Sequence, residues 1–143
     1  MSIKPNDIVV VKLGGSIFDA RDTTIEDVVH LQKEGKPLIL VHGGANVVTE
    51  WLTRQGAATR FFQGERVTDK ASLEMVTAVL GGLVNKEIVA AIIARGGRAV
   101  GISGVDGALI QARIRDENSG LVGAVVGVDP NLLLVLLEAG YLP

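Results

Sequence analysis

The stretch Val9-Val10-Val11-Lys12-Leu13-Gly14-Gly15-Ser16 decides the fold expected of this chain. Three β-branched residues in succession are typical of a strand buried on both faces, as in parallel sheets. A lysine then stands at the carboxyl end of the strand, where a buried cation is costly unless an anion meets it. Gly14 and Gly15 let the backbone turn sharply and leave their N–H groups uncovered. The pattern predicts a phosphate-binding corner of an α/β sheet. The same sequence also fits a solvated lysine followed by an ordinary Gly-Gly turn.

Composition indicates one domain and excludes several classes of function. The 143 residues are 48% hydrophobic with 18 glycines, as expected of an α/β protein with many tight turns. A formal charge of −2 and 3% aromatic residues give no basic surface and no stacking platform for nucleic acid. There is no cysteine, and no cluster of metal ligands is visible. No uninterrupted apolar run approaches the ~18 residues of a membrane helix, so we expect a cytoplasmic protein without a membrane partner.

A second glycine corner follows the next predicted strand. A helix begins near Asp22-Thr23-Thr24 and ends near Gly35, and residues 38–41 then form a strand, which makes a right-handed βαβ unit. This strand ends in His42-Gly43-Gly44-Ala45-Asn46 and leads into a helix over about 47–54. Parallel strands place both corners at one edge of the sheet, where they predict a pocket for an anionic group. His42 is interpreted as a side chain that holds its corner by hydrogen bonding.

The middle of the chain predicts a hairpin and then a long helix. Arg60-Phe61-Phe62 and Glu65-Arg66-Val67 flank Gln63-Gly64, as in a small hairpin. Apolar residues then recur every three or four positions from about Lys70 to Arg95, a span of roughly 40 Å. Gly81-Gly82 interrupts this helix and predicts a close helix crossing. We expect one side of the helix to be core and the other a homodimer contact, with Lys86 and Glu87 on a solvated face.

The last third predicts another βα arrangement. Residues 98–102 read as a third parallel strand that ends in the corner Ser103-Gly104-Val105-Asp106-Gly107. Residues 108–115 and 121–128 alternate and predict a β-hairpin, and Asp129-Pro130 opens the final helix. Tyr141-Leu142-Pro143 has the character of a strand that is just beginning. Because an α/β domain seldom ends there, we expect that a second lobe is missing from this sequence.

These motifs together resemble the amino acid kinase family, and most closely its members that phosphorylate N-acetyl-L-glutamate. The match runs from Val9 to Pro143 and covers only the first half of a typical member. The resemblance implies a three-layer α/β/α sandwich with a mainly parallel open sheet and small hairpins, of which residues 1–143 are the N-terminal amino-acid-substrate lobe and the nucleotide lobe is absent. The motifs that carry it are 12–15 (KLGG), 41–44 (VHGG), 64–69 (GERVTD), 84–89 (VNKEIV), 99–104 (AVGISG) and 106–107 (DG).

The resemblance also implies roles for particular residues. Lys12 would neutralise charge on the phosphoryl group in transfer, beside the backbone amides of Gly14, Gly15 and Gly43. Gly44 and Ala45 would present N–H groups to the substrate, and Arg66 would pair with its α-carboxylate. ATP, with the Mg²⁺ that accompanies it, would donate the phosphoryl group to the γ-carboxylate of N-acetyl-L-glutamate, as in arginine biosynthesis.

Two departures and several alternatives stay open at this point. Ala45 replaces the usual third glycine, and the nucleotide-lobe residues of the family are absent from residues 1–143, so this chain alone is expected to bind ATP poorly and not to turn over. The sequence also fits a kinase for carrier-protein-bound aminoadipate or glutamate, or a non-catalytic half-chain that binds an amino acid or dimerises. A dinucleotide-binding domain is disfavoured because the corner lacks G-x-G-x-x-G spacing.

Overall fold

The computed structural model describes residues 3–14, 23–56, 61–62, 65–115 and 120–143 of the chain. Helices and short strands alternate through these ranges. A 3-10 turn at Pro5–Asp7 precedes the first strand, and another lies at Asp106–Ala108. The remaining elements, in chain order, are β1 (Val9–Leu13), α1 (Thr24–Lys33), β2 (Leu38–His42), α2 (Ala45–Arg54), β3 (Phe61–Phe62), β4 (Glu65–Arg66), α3 (Lys70–Val76), a π-helical segment (Thr77–Val84), α4 (Asn85–Ala94), β5 (Ile110–Ile114), β6 (Gly123–Val128) and α5 (Asn131–Glu138).

The parallel pair of β1 and β2 confirms the predicted βαβ unit. Leu13 lies opposite His42, so the two strands end side by side at the same edge. Only one face of the pair is covered, however. Leu13 and Leu38 are buried in the core, whereas Val10 is 62% exposed and Val41 47% exposed. The expectation of a strand buried on both faces is therefore wrong for the described residues, because helices pack against one side alone.

The core lies between the covered face of the β1–β2 pair and the helices. It consists of aliphatic side chains from α1, α2, the π-helical segment and α4, with Leu142 from the end of the chain: Ile25, Val28, Val29, Val48, Leu52, Val79, Val84, Ile88 and Ile92. Asp69 accepts a hydrogen bond from the Ser72 amide (2.7 Å) and so caps α3. The α/β class, with a parallel sheet and small hairpins, is thus confirmed.

The long predicted helix is present, but its middle is π-helical. The glycine pair lies inside the segment Thr77–Val84, and a Cβ added at Gly81 or Gly82 would meet no atom within 4 Å. The close crossing expected at these two glycines is therefore not made among the described residues. The close approach to the long helix is made instead by the backbone of Gly44, where an added Cβ would lie 2.7 Å from the Leu80 side chain.

The same helix qualifies the expectation about membranes. The helix Lys70–Ala94 is 25 residues long and contains an 18-residue window with a mean hydropathy of 1.7, which by length and composition alone is enough to cross a bilayer. Glu74, Lys86 and Glu87 interrupt its apolar sequence, so no uninterrupted apolar run of this length is present in the helix. Val84, Ile88 and Ile92 nevertheless pack into the core, as in the core helix of a globular domain.

Residues 98–102 are extended, but the described sheet pairs them at one point only. Ala99 forms a parallel bridge with Leu142, and the amide of Leu40 donates to the carbonyl of Pro143 (2.9 Å). The segment 141–143 thus lies between β2 and residues 98–100. Gln32 fastens this arrangement, because its carboxamide bonds both the N–H and the carbonyl of Arg98 (2.9 and 2.7 Å). The third strand is therefore only partly formed.

Both predicted hairpins are present. β3 pairs with β4 and β5 pairs with β6, each antiparallel. Ile114, Val125 and Val128 of the second hairpin are each at least 59% exposed, so this hairpin stands away from the core. The final helix begins after Asp129-Pro130 and is followed by Gly140 at φ 76°, as its sequence predicts. α2 begins at Ala45, two residues before its predicted start.

Candidate functional site

The two glycine corners meet, as predicted, at one edge of the sheet. Gly14 follows the last residue of β1 and Gly43 the last residue of β2, and those last residues are paired in register. A Cβ added at Gly14 or at Gly43 would meet nothing within 4 Å, so both corners border open space. Gly15 lies outside the described residues. The structure therefore brings together the two described glycines that were predicted to hold a phosphoryl group.

Gly44 and Ala45 form the start of α2. Gly44 has φ 146°, a conformation that favours glycine, and it packs closely against Leu80 and Val84. Ala45 is exposed and is the first residue of the helix, which begins without a side-chain cap. The first N–H groups of a helix have no acceptor within it, so these amides are available to an anion at this corner. The helix start adds a partial positive charge there.

Lys12 lies on the uncovered face of β1. It is opposite Val41 in the register and shares that face with Val10. Its side chain is exposed. None of the ion pairs among the described residues involves it. Lys12 thus precedes Gly14 by two residues, and its ammonium has no carboxylate partner among the described side chains.

Arg66 lies in β4, opposite Phe61. Its side chain and the loop residues Gln63 and Gly64 lie outside the described residues. The structure therefore places the backbone of the predicted carboxylate-binding residue in the first hairpin.

A network of polar side chains supports the second glycine corner from the side of the long helix. His42 Nδ1 lies 2.9 Å from the carbonyl oxygen of Gly43, and its Nε2 lies 3.2 Å from Nδ2 of Asn85. Lys86 donates to Oδ1 of Asn85 (3.0 Å) and to the carbonyl of Gly101 (3.1 Å). Because Oδ1 of Asn85 accepts from the ammonium, its NH₂ group faces the imidazole, which then accepts at Nε2 and donates at Nδ1. The interpretation of His42 as a corner-holding residue is confirmed.

Sequence reasoning missed the rest of this network. Asn85 is only 7% exposed, and Lys86 is tied to two neighbours rather than lying on a purely solvated face. A Cβ at Gly101 would overlap Oδ1 of Asn85, so a larger residue there would displace the Asn85 carboxamide. The signal that could have found the network is a polar Asn at a core position of an apolar helix, because a buried amide needs partners.

The third corner, residues 103–107, is held by hydrogen bonds between its own residues. The Ser103 amide and hydroxyl both donate to Oδ2 of Asp106 (2.6 and 2.8 Å). The backbone hydrogen bond from Ser103 lowers the pKa of Asp106 most, its hydroxyl lowers it further, and Lys86 adds a smaller effect in the same direction. Asp106 is therefore an ionised carboxylate that stiffens the turn after residues 98–102.

The described residues supply no group of metal ligands at the glycine corners. Among them, no group of three His, Asp or Glu side chains could hold a metal ion. A cavity of about 450 Å³ is lined in part by β2 and residues 99–104, and its lining does not include Lys12, Gly14 or Ala45. What the corners present is a set of backbone amides and one ammonium, which suits an anionic group rather than a bound cation.

Comparison with known proteins identifies the family to which this chain is similar. The model of the amino acid kinase family matches residues 7–143. The chain is 48% identical over its whole length to an acetylglutamate kinase of Dehalococcoides mccartyi strain BAV1, of which it covers 53%. It is 46% identical to the acetylglutamate kinase of Syntrophomonas wolfei, with 94% of this chain and 49% of that protein covered. The chain thus spans about half the length of the curated relatives it matches.

Solved structures share its fold. Smu.665 from Streptococcus mutans superposes with a TM-score of 0.88 at 24% identity, over 96% of this chain and 57% of that one. N-acetylglutamate synthase from Neisseria gonorrhoeae, solved with coenzyme A and N-acetyl-glutamate, gives 0.72 at 23% identity, over 96% and 32%. At these identities the likeness concerns the fold alone. The match over residues 7–143 shows that this chain belongs to the amino acid kinase family.

Proposed function

We propose that this chain is the amino-acid-binding lobe of an ATP-dependent kinase that phosphorylates the γ-carboxylate of N-acetyl-L-glutamate. The single observation that carries the proposal is the register of β1 with β2, which sets Gly14 and Gly43 side by side in open space next to Lys12. The names of relatives 46–48% identical to this chain support the choice of acceptor and of arginine biosynthesis as its setting. A cytoplasmic protein fits a biosynthetic role of this kind.

Residues of this chain would act by position and charge. The amides of Gly14, Gly43 and, outside the described residues, Gly15 would face the phosphoryl group, and the Lys12 ammonium would offset its growing negative charge. Gly44 and Ala45 would hold the acceptor amino acid through the start of α2. Arg66 would pair with its α-carboxylate in the planar, bidentate way that guanidinium favours.

The co-substrate fits this lobe only in part. The corners present amides and an ammonium suited to the transferred phosphoryl group, whereas none of the described side-chain clusters fits Mg²⁺. When bound, ATP supplies the phosphoryl group and its Mg²⁺ neutralises phosphate charge. We therefore expect the 143-residue chain alone to bind the amino acid, to bind ATP poorly and not to turn over.

The acceptor can be tested on this chain by NMR. We expect N-acetyl-L-glutamate to shift the amide resonances of Gly44 and Ala45, and Arg66→Lys to weaken this binding about tenfold or more, the loss of one bidentate pair. N-acetyl-L-glutamine, which lacks the γ-carboxylate charge, should bind more weakly. Binding that leaves both amides unshifted, or that Arg66→Lys does not weaken, would contradict the proposed acceptor site.

Turnover requires the second half of the enzyme. A chimera that joins Pro143 to the remaining C-terminal part of the Dehalococcoides relative should release ADP in the presence of N-acetyl-L-glutamate, and Lys12→Met should reduce kcat by orders of magnitude. Phosphorylation of a carrier-bound glutamate or aminoadipate instead of the free amino acid would reject the proposed substrate.

We also infer that the chain forms a homodimer through the long helix. Gly81 and Gly82 face open space, and Leu73, Leu83 and Ile93 of the same helical stretch are 37–55% exposed. Small residues beside exposed aliphatic side chains allow two helices to approach closely. The dimer would bury apolar surface that the described chain leaves open.

A further inference from the structure

The tip of the second hairpin is joined to the segment that carries Arg66. The amide of Leu121 donates to the carbonyl oxygen of Thr68 (2.7 Å), and Thr68 forms a parallel bridge with Gly120. Thr68 follows Arg66 by two residues and is buried. We call this pairing of residues 120 and 121 with Thr68 the tip contact. It fixes the backbone of one hairpin against the backbone that leaves the other.

On its other side, Thr68 adjoins the start of the long helix. Asp69 caps α3 by accepting a hydrogen bond from the Ser72 amide (2.7 Å). Towards Arg66, in contrast, β4 has two residues, which pair with the two residues of β3. So short a hairpin is marginally stable by itself. The tip contact is therefore a substantial restraint on the backbone next to Arg66.

Gly120 fits this contact without space for a side chain. A Cβ added to it would overlap the carbonyl oxygen of Thr68 and lie 3.1 Å from the carbonyl carbon. Gly120 also has φ 67°, a conformation that L residues rarely adopt. The obstructing atoms belong to the backbone, so they cannot rotate away as the end of a flexible side chain can. A methyl group at Gly120 would therefore displace Thr68 or separate it from the hairpin.

The other end of the second hairpin is anchored at the third corner. The amide of Ile110 donates to the carbonyl of Gly104 (2.8 Å), and the amide of Asp129 donates to the carbonyl of Leu109 (3.0 Å). Between its two ends, the aliphatic side chains of β5 and β6 are largely exposed. A hairpin that buries little apolar surface, yet is hydrogen-bonded at both ends, is suited to hold those ends at a fixed separation. It thus connects the third corner to Thr68.

We propose that Gly120 is a positioning residue for the acceptor amino acid, because the tip contact fixes Thr68 and with it the backbone of Arg66. A bidentate pair requires the guanidinium and the carboxylate to share a plane, so a small displacement of Arg66 loses one of the two hydrogen bonds. The inference rests on the proposed function, since it concerns the α-carboxylate that Arg66 would bind. It adds that the second hairpin tunes this affinity without contacting the acceptor.

A double-mutant cycle tests the inference. Dissociation constants for N-acetyl-L-glutamate are measured by NMR titration of the unmodified chain, Gly120→Ala, Arg66→Lys and the double variant. We expect Gly120→Ala to weaken binding about fivefold or more when Arg66 is present, as for two coupled sites. When Arg66→Lys has already removed the bidentate pair, the same change should weaken binding by less than about twofold.

Gly35→Ala is the matched control. Gly35 also has a positive φ, of 81°, but a Cβ added to it would meet nothing within 4 Å. The control variant therefore carries a similar backbone strain without displacing a neighbour. It should leave the affinity for N-acetyl-L-glutamate unchanged, both with Arg66 and with Arg66→Lys.

Amide hydrogen exchange on the unmodified chain gives a second test, which needs no Gly120 variant. Because coupling between two sites is reciprocal, an acceptor that binds best to the fixed Arg66 must also stabilise the tip contact. Saturating N-acetyl-L-glutamate should slow exchange of the Leu121 amide about fivefold or more relative to that of Arg115. The Arg115 amide donates to Val122 within the hairpin (3.0 Å) and reports on the hairpin itself. Arg66→Lys should abolish the difference.

Three results would overturn the inference. The first is an equal loss of affinity from Gly120→Ala with and without Arg66, which would indicate a general loss of structure. The second is an unchanged affinity in Gly120→Ala. The third, which decides if Gly120→Ala does not fold, is equal slowing of Leu121 and Arg115 by the acceptor. The proposed function survives all three, whereas an unmodified chain that does not bind N-acetyl-L-glutamate, or that binds it equally well after Arg66→Lys, would reject both.

Discussion

Asn85 and His42, 43 residues apart in the chain, meet at 3.2 Å between a carboxamide nitrogen and an imidazole nitrogen. The contact joins the first residue of α4 to the last residue of β2. Since His42 in turn reaches the Gly43 carbonyl, the shape of the corner depends on a buried amide from another layer of the fold. The glycine corner is therefore supported from the helix side of the sheet and not by its own residues alone.

Loss of that amide should destabilise the chain. We expect Asn85→Ala to lower the free energy of unfolding by about 1–3 kcal/mol, because it leaves His42 and Lys86 without a buried partner. Urea denaturation followed by circular dichroism measures the change. Asn46→Ala, at an exposed position of α2, is the matched control and should change it by less than about 0.5 kcal/mol. Equal losses for the two variants would contradict the network.

Gly44 and Gly43 should respond differently to the same substitution. Gly44→Ala forces φ 146° on an L residue and drives a methyl group into Leu80, so a loss of about 1–3 kcal/mol in unfolding free energy is expected. Gly43→Ala places its methyl in open space and should cost much less. Denaturation midpoints of the two variants decide the matter, and similar midpoints would show that the corner is not held against the long helix.

Gln32 should contribute more to the free energy of unfolding than its position near the surface suggests. Its carboxamide bonds the N–H and carbonyl of Arg98 and also reaches the carbonyl of Gly140 (3.3 Å), so it joins the segment that follows α4 to the segment that follows α5. Gln32→Ala should lower the unfolding free energy by about 1–2 kcal/mol. Gln55→Ala, at the end of α2, serves as the control. A null effect of Gln32→Ala would mean that solvent replaces these bonds at no cost.

Asp106 should titrate below the ordinary aspartate value of 3.8. Because its folded-state pKa is lowered, the ionised carboxylate stabilises the fold at pH above this value, and the contribution is lost as pH falls through the folded pKa. Carbon-detected NMR titration of the side chain measures it directly. Ser103→Ala removes one donor but keeps the backbone amide, so the pKa should rise part of the way. A pKa at or above 3.8 in the unmodified chain would refute the assigned hydrogen bonds.

Substitutions at Gly82 in the long helix distinguish an effect on the stability of the monomer from an effect on dimer formation. Since a Cβ at Gly82 meets nothing, Gly82→Ala should raise the unfolding free energy of the monomer by about 0.5–1 kcal/mol through helix propensity. Gly82→Trp should leave the fold intact but block a close helix crossing between subunits. Sedimentation velocity should then show a dimer for the unmodified chain and a monomer for the Trp variant. A monomer in both cases would reject the proposed interface.

Much of this structure could be predicted from local patterns. The strands at Val9 and Leu38, the glycine ends of helices and the proline start of the last helix follow from short-range sterics, and the structure confirms them. The family resemblance rested on the same corners. These features depend on a few residues that are adjacent in the chain, so the amino-acid sequence alone predicts them.

Contacts between distant segments escaped prediction. The burial of Asn85 and the ties of Lys86 require knowledge of which helix packs beneath Gly101, and no local pattern contains that. The exposure of Val10 was missed for the same reason, because three β-branched residues predict a strand but not the layer that covers it. The close crossing was assigned to Gly81-Gly82 because helix breaks are visible in sequence, whereas the packing of Gly44 on Leu80 is not.

The exposed face of β1 has a consequence for measurements on this chain. An ammonium in water at Lys12 attracts an anion through a high dielectric, and dissolved ions screen that attraction over about 10 Å at 0.1 M ionic strength. Affinity for a small anion such as inorganic phosphate should therefore fall steeply between dilute buffer and 0.5 M sodium chloride. Once another layer covers Val10 and Val41, the same lysine would lie in a drier medium and the dependence on salt would flatten.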